Sequence, residues 1–244
     1  MENFLTKIFS AEELTGSAYT CQRCGVELFR YDEYDLCETC KSLLTLTENI
    51  RECERCGSPL KKDNPSEFCG ECNSEEIYYY RLRGATVMDE ASRHYVLALK
   101  LGKNKDNARL MARFIADKLY ALDWEADVIV PVPTYHEGKR YFNHSEFIAV
   151  ELAKITGIPF SNALLKIKKN EGQENKNRKE RKINVEGVYG LSENADFTGK
   201  TVLLVDDVKT SGATMNECSK TLIKDGNADK VFGIAFAATK LKKI

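Results

Sequence analysis

Two groups of residues in this 244-residue chain carry side chains able to do chemistry. The first is a set of eight cysteines in four Cys-x-x-Cys pairs, at Cys21/Cys24, Cys37/Cys40, Cys53/Cys56 and Cys69/Cys72, with twelve residues between consecutive pairs. Each pair can place two thiolates on one tetrahedral ion, and two pairs close a structural site, so the set implies two zinc ions. Equal gaps leave the pairing open between sequential sites and crossed ones, in which 21/24 would join 53/56. The matching segments Cys21-Gln-Arg-Cys24-Gly25 and Cys53-Glu-Arg-Cys56-Gly57 make two copies of one ribbon the simpler reading. A disulfide framework would require export. The opening Met-Glu-Asn-Phe-Leu-Thr-Lys has no apolar signal region, so a cytoplasmic location is expected.

The second group lies at 201–214, Thr-Val-Leu-Leu-Val-Asp-Asp-Val-Lys-Thr-Ser-Gly-Ala-Thr. The aliphatic run 201–205 reads as a strand buried on both faces that stops at Asp206 and Asp207. A small-residue loop follows over 209–213, and then a helix over 214–224 whose apolar positions Met215, Cys218, Leu222 and Ile223 recur at helical spacing. Unpaired N–H groups at that helix start can close on a phosphate through Gly212 and Ala213, with Thr210, Ser211 and Thr214 adding hydroxyls. Asp206 and Asp207 suit vicinal sugar hydroxyls or the water shell of a magnesium ion. No Gly-Lys-Ser/Thr ending is present, so this is not a Walker loop. Cys218 falls on the helix's apolar face and is expected to be a packed thiol.

These residues require a scaffold. Helices are expected over 91–101, over 106–122 with Leu110, Phe114, Ile115 and Leu119 inward, and over 145–156 closed by Gly157; strands are expected over 128–130 and 163–167. Strands alternating with helices imply an α/β fold with a doubly wound, mostly parallel sheet and ligands at the strands' carboxyl ends. The chain has no apolar run near the length that crosses a membrane.

Val-Asp-Asp-Val-x-Thr-x-Gly-x-Thr at 205–214 resembles the phosphoribosyl pyrophosphate (PRPP) motif of the type I phosphoribosyltransferases. That resemblance implies a 5′-phosphate in the loop formed by Thr210, Ser211, Gly212, Ala213 and Thr214, and ribose hydroxyls on Asp206 and Asp207, with magnesium accompanying PRPP. Purine-salvage members carry an aspartate where Thr210 stands, which argues against a purine base; Lys209 replaces a residue that is usually apolar or aromatic. Val130-Pro131-Val132-Pro133, then Lys139-Arg140-Tyr141-Phe142-Asn143, look like stretches of the ComF family of competence proteins. Tyr141 stands where Gly is usual and His144 where Gln is usual. Leu99-Lys100, and Gln173 with Arg181 and Asn184, fit further signatures, and a zinc module ahead of the transferase domain is that family's layout. The expected organisation is an arm over 1–20, a double zinc-ribbon module over 21–76 and a phosphoribosyltransferase-like domain over 77–244. Lys139 and Arg140 would partner the pyrophosphate.

The resemblance implies a factor handling incoming single-stranded DNA in natural transformation, alongside competence-machinery proteins such as a ComFA-like helicase. The alternative is an enzyme moving ribose 5-phosphate from PRPP to a small amine or base, although no side chain stands out as its general base. Residues 21–72 hold seven Lys/Arg against eleven Asp/Glu, a poor footprint for nucleic acid. The segment 166–182 holds eight Lys/Arg against three Glu, and Lys176, Arg178, Lys179 and Arg181 within it are the candidate DNA contacts. Aromatics such as Phe29, Tyr31, Tyr34 and Phe68 are expected to cover the ribbons' small cores rather than stack on bases.

Overall fold

The computed structural model describes residues 19–28, 32–47, 51–61, 63–102, 106–135, 142–169 and 185–239. Nearly all of the expected arm, together with Phe29, Tyr31, Lys139, Arg140, Tyr141, Gln173, Asn184 and the four candidate DNA contacts, lies outside them. By compactness the chain parts into two units, 1–43 and 44–244. The division falls inside the 21–76 stretch, between its two ribbons.

In the first unit β1 (Tyr19–Thr20) and β2 (Glu27–Leu28) pair antiparallel, and α1 (Glu38–Ser42) follows. Gly25, at φ 73°, turns the chain so that its amide donates to the Cys21 carbonyl at 2.9 Å and the Cys21 amide to Val26 at 2.8 Å. Cys37 caps α1 by accepting from the Cys40 amide. Tyr34 and Leu36 join Cys21 and Cys40 in its small core. So little apolar surface does not stabilise a fold without a metal or disulfide.

The second unit repeats that turn: Gly57 donates to Cys53 at 2.9 Å and Cys53 to Ser58 at 2.8 Å, before α2 (Gly70–Ser74). The elements after it are β3 (Arg81–Val87), α3 (Glu90–Lys100), α4 (Asp106–Ala121), β4 (Val128–Pro131), α5 (His144–Thr156), β5 (Leu164–Lys166), β6 (Tyr189–Leu191), β7 (Thr201–Lys209), α6 (Ala213–Lys224) and β8 (Lys230–Ala238). Four strands form an all-parallel sheet in the order β3-β8-β7-β4. On one face Val202, Leu204, Val128 and Val130 share a core with Met215, Cys218 and Leu222 of α6. On the other, Phe236 of β8 packs edge-on against Phe114 of α4, with ring centroids 6.2 Å apart. Helices on both faces make the α/β sheet doubly wound, as the alternation of patterns predicts.

Three features differ from the sequence expectations. β7 does not stop at the carboxylates. It stays paired with β8 to Lys209, opposite Ala238, so Asp206 and Asp207 lie within the strand and face opposite sides of it. β5 does not join the parallel sheet; it pairs antiparallel with β6 as a separate ribbon. β3 falls in a stretch for which no strand was expected, and within it Arg83 is neutralised from outside the strand: its guanidinium lies 3.5 Å from Glu52 and 3.4 Å from Glu54 and donates to the Glu54 carbonyl at 3.1 Å.

β3 has β8 on one side only. Its other side is covered by the inter-ribbon chain and the second ribbon: Leu46 bridges Thr86, the Thr47 hydroxyl donates to Gly84 O at 2.8 Å, Val87 N to Thr45 O at 2.8 Å and Leu82 N to Arg55 O at 2.7 Å. Gly57 lies so close that a Cβ there would stand 2.5 Å from the Leu82 carbonyl oxygen. Cys53 and Cys56 belong to the same buried cluster as Leu82, Leu204 and Cys218.

Candidate functional site

The carboxylates sit where β7 and β4 run side by side, Pro131 opposite Val205. Past β4, the Asn143 side chain ties the strand end to the next helix: its amide donates to Val132 O at 3.1 Å, and its oxygen accepts from Thr134 Oγ1 at 3.2 Å and from the Ser145 amide at 3.2 Å. That cap fixes α5 so that Ser145 reaches β7, and its hydroxyl donates to Asp206 Oδ1 at 2.7 Å. The Asp207 amide donates to the same oxygen at 2.9 Å. On the other face of the strand Lys100 Nζ stands 2.8 Å from Asp207 Oδ2, a charge-to-charge approach rather than a directed hydrogen bond.

The two acids therefore differ. Burial and the Asp207 carboxylate push the Asp206 carboxyl up to about 7, against the Ser145 hydroxyl, the Asp207 amide and Lys100. Around it, burial holds the Lys166 ammonium below its usual range, opposed by Cys218 and Asp206, and raises the Tyr189 hydroxyl, helped by Cys218 and Asp206 and opposed by Thr214. Burial likewise lowers the His144 imidazole, against the pull of Asp207.

After Lys209 the chain turns at Gly212, φ 82°, which is the N-cap of α6 and makes no side-chain capping bond. An uncapped helix start leaves backbone donors for an anion. Ser211 Oγ accepts from Ala213 N at 3.4 Å, Thr210 is exposed, and Ser211, Ala213 and Thr214 are half-buried. Sequence reading brought Asp206, Asp207 and residues 210–214 together, and the structure holds them within one strand, turn and helix start. It missed Ser145 and Tyr189, which no local pattern marks, and it counted Lys166 with the basic segment 166–182. Lys209 points away from the loop: buried at 2 % exposure, its Nζ donates to Ser58 Oγ of the second ribbon at 3.3 Å.

The cysteines form two groups, Cys21, Cys24, Cys37, Cys40 and Cys53, Cys56, Cys69, Cys72, with ligand atoms within 4.8 Å of one another in each. The sequential pairing is the one the fold makes. In the first group burial raises the Cys21 thiol, but backbone donors at Cys37, Cys24 and Arg23 bring it down to about 6. Cys40 is pushed up to about 12 by burial and by the side chains of Cys37, Cys24 and Cys21. In the second, hydrogen bonds from Cys56 and Cys72 lower Cys53, and those with Cys53 and Cys56 raise Cys72. Four thiols this close cannot all ionise without a cation between them, and four sulfur donors are the set that fits a tetrahedral ion such as zinc. Tyr34 is buried under Lys41, whose Nζ is 3.9 Å from the ring centroid, and Phe68 packs against the second unit's core, so both serve their ribbons. No helix among the described residues is long and apolar enough to cross a membrane.

Comparison with known proteins gives the following. Competence protein F of Haemophilus influenzae is 34% identical over 116 residues, 46% of this chain and 51% of that protein, so the chain spans about half the length of this relative. A structure of the allosteric regulatory enzyme of purine biosynthesis is 25% identical over 52% of this chain and 25% of its own, with a TM-score of 0.35. Orotate phosphoribosyltransferase from Francisella tularensis is 17% identical over 57% of this chain and 70% of its own, with a TM-score of 0.34. Structural likenesses this distant carry no weight. Residues 100–243, which hold the carboxylate strand, the loop and the helix behind it, match the model of the phosphoribosyl transferase domain, and the chain belongs to that family.

Proposed function

We propose that the 206–214 site binds PRPP with magnesium, and that the chain is a cytoplasmic, ComF-like competence factor that handles incoming single-stranded DNA. The observation that carries the first part is the uncapped start of α6 behind Gly212, a short turn beyond a pair of strand-borne carboxylates, in a chain of the phosphoribosyl transferase domain family. The α6 amides with the hydroxyls of Thr210, Ser211 and Thr214 would take the 5′-phosphate, and Asp206 and Asp207 the ribose hydroxyls. Magnesium would supply charge neutralisation at the pyrophosphate, near the carboxylates, with Lys139 and Arg140 as further charge partners. Lys100 and Ser145 keep the two acids oriented before ligand arrives. Zinc would occupy both cysteine groups as a structural ion.

The competence role is supported by the stretch shared with Competence protein F. It would involve single-stranded DNA at Lys176, Arg178, Lys179 and Arg181 and partners such as a ComFA-like helicase. Ribose transfer to a small amine or base is a second reading, and Asp206 favours it: a carboxyl titrating at about 7 can accept a proton at neutral pH.

Calorimetry with PRPP and magnesium tests the site. Asp206→Ala with Asp207→Ala should weaken binding at least tenfold, about 1.4 kcal/mol, and unchanged affinity would leave the acids merely structural. For DNA, neutralising the four basic residues should lower affinity for single strands and flatten its salt dependence more than altering Tyr31 and Tyr34 does. The reverse result would move the DNA contact to the ribbons.

A further inference from the structure

We infer that the second cysteine group, acting through Tyr79, holds the 211–213 loop in its binding shape, so that metal at that group governs a ligand site containing none of its own sulfurs. The inference rests on reading the loop as a phosphate cradle.

Gly212 has positive φ and no capping side chain, so its conformation is held by what it rests on. A Cβ built on it would stand 3.3 Å from the Tyr79 hydroxyl and 3.3 Å from Leu82 Cδ2. Both of those residues are in turn fixed by the ribbon. Tyr79 is 3 % exposed and shares a buried cluster with Cys53 and Cys56. Leu82 donates its amide to Arg55 O, inside the Cys53–Cys56 turn, and its carbonyl meets Gly57. Behind the loop, Asn216 of α6 accepts from Tyr78 N at 2.7 Å and donates to Glu76 O at 3.2 Å, joining the helix to the chain that leaves α2. A cavity of about 290 Å³ is lined by Cys56, Cys72, Tyr79, Ser211, Gly212 and Ala213 among others.

The ribbon is held to the sheet at Glu52, Glu54, Arg55 and Ser58, and within it little but the cysteines joins the Cys53–Cys56 turn to α2. α2 is five residues long, well short of what holds as an isolated helix, and four thiols within 4.8 Å need a cation. Without metal the turn bearing Arg55 and Gly57 relaxes, Tyr79 and Leu82 lose their backing, and the loop loses its support. The first group lies in the other compact unit and shares none of these residues.

The test compares the full chain with Cys72→Ser, Cys21→Ser, Tyr79→Leu and Tyr79→Phe by metal analysis, hydrogen exchange over 208–220 and calorimetry with PRPP and magnesium. Each cysteine variant should lose one ion. Cys72→Ser should exchange its loop amides, and release PRPP, roughly tenfold more readily, while Cys21→Ser does neither. Tyr79→Leu should keep both ions yet loosen the loop as Cys72→Ser does, and Tyr79→Phe should restore it. If Cys72→Ser loses its ion with loop protection and PRPP affinity intact, or if Tyr79→Leu matches the unaltered protein, the inference is wrong. Should Cys72→Ser fail to fold, Tyr79→Leu decides alone. Should the unaltered chain bind no PRPP, the phosphate reading falls, and the exchange data still decide the coupling.

Discussion

The two ribbons share one Cys-x-Arg-Cys-Gly turn and differ in what surrounds it. Gly25 and Gly57 both follow a Cys-x-Arg-Cys turn at positive φ and both donate back to the first cysteine. A Cβ on Gly25 would meet nothing within 4 Å, whereas one on Gly57 would strike the Leu82 carbonyl. Cys24 is exposed in the first ribbon, and its counterpart Cys56 is buried in the core of the large unit. The second copy's turn is thus part of the wall around a sheet edge and a ligand loop, whereas the space beside Gly25 is open. Motif identity reports the local fold; the neighbours decide what depends on it.

The comparison can be broken most severely at Arg83. Its guanidinium pairs with Glu52 and Glu54 of the second ribbon at 5 % exposure, so Arg83→Ala leaves the half-buried Glu52 without that partner. We expect a loss of about 3–5 kcal/mol in the large unit's unfolding, read by denaturant titration. A loss under about 1 kcal/mol, the range of an exposed ion pair, would show that the ribbon is only loosely joined to the sheet.

Substituting the paired glycines sharpens it. Gly25→Ala should cost only the left-handed backbone penalty, about 1–2 kcal/mol, while Gly57→Ala adds a clash with backbone that has no room to give. Thermal unfolding of the two variants should differ clearly, and equal shifts would remove the distinction between the copies.

A pH-dependent effect is confined to the large unit. The native Asp206 carboxyl titrates at about 7 and an unfolded aspartate at about 3.9, so the native state keeps a proton that the unfolded state has released between those values. This group therefore lowers stability progressively as pH rises from about 4 to about 7, and not further beyond. Asp206→Asn should match the unaltered protein near pH 4 and exceed it above pH 7; a constant difference across that range would contradict the assignment. Smallest of all, Lys41→Ala removes the ammonium over Tyr34 and should cost the first ribbon about 0.5–1 kcal/mol, seen as faster metal release to a chelator, without altering the large unit.

How much of this was legible in the sequence depends on how local the determinant is. The cysteine pairs, the helix closed by Gly157, and the run of carboxylates, loop and helix at 206–224 were readable because each is set by a few consecutive residues. β3 was not, since two charged residues in a short run give no strand pattern, and Arg81 and Arg83 find their partners Glu52 and Glu54 only in the folded ribbon. β8 is rich in small residues, which are weak strand formers, yet they are what a crowded central strand admits: a Cβ on Gly233 would lie 2.8 Å from Leu82 Cδ1. At the site, Asp206 was visible, but its near-neutral carboxyl was not, because that follows from burial beside Asp207 and from Ser145, sixty-one positions away in the chain.

The covering of β3 bears on how the chain survives when metal is scarce. A strand with a partner on one side only is open to any passing β-segment, and here the guard over residues 81–87 is the inter-ribbon chain and a ribbon that depends on its ion. Newly made protein that has not yet acquired that ion would have a looser cover over the Leu82–Arg83 end of the edge, while Thr45, Leu46 and Thr47 still lie along the Gly84–Val87 end. Metal starvation would then show as self-association through that strand end as well as weaker ligand binding.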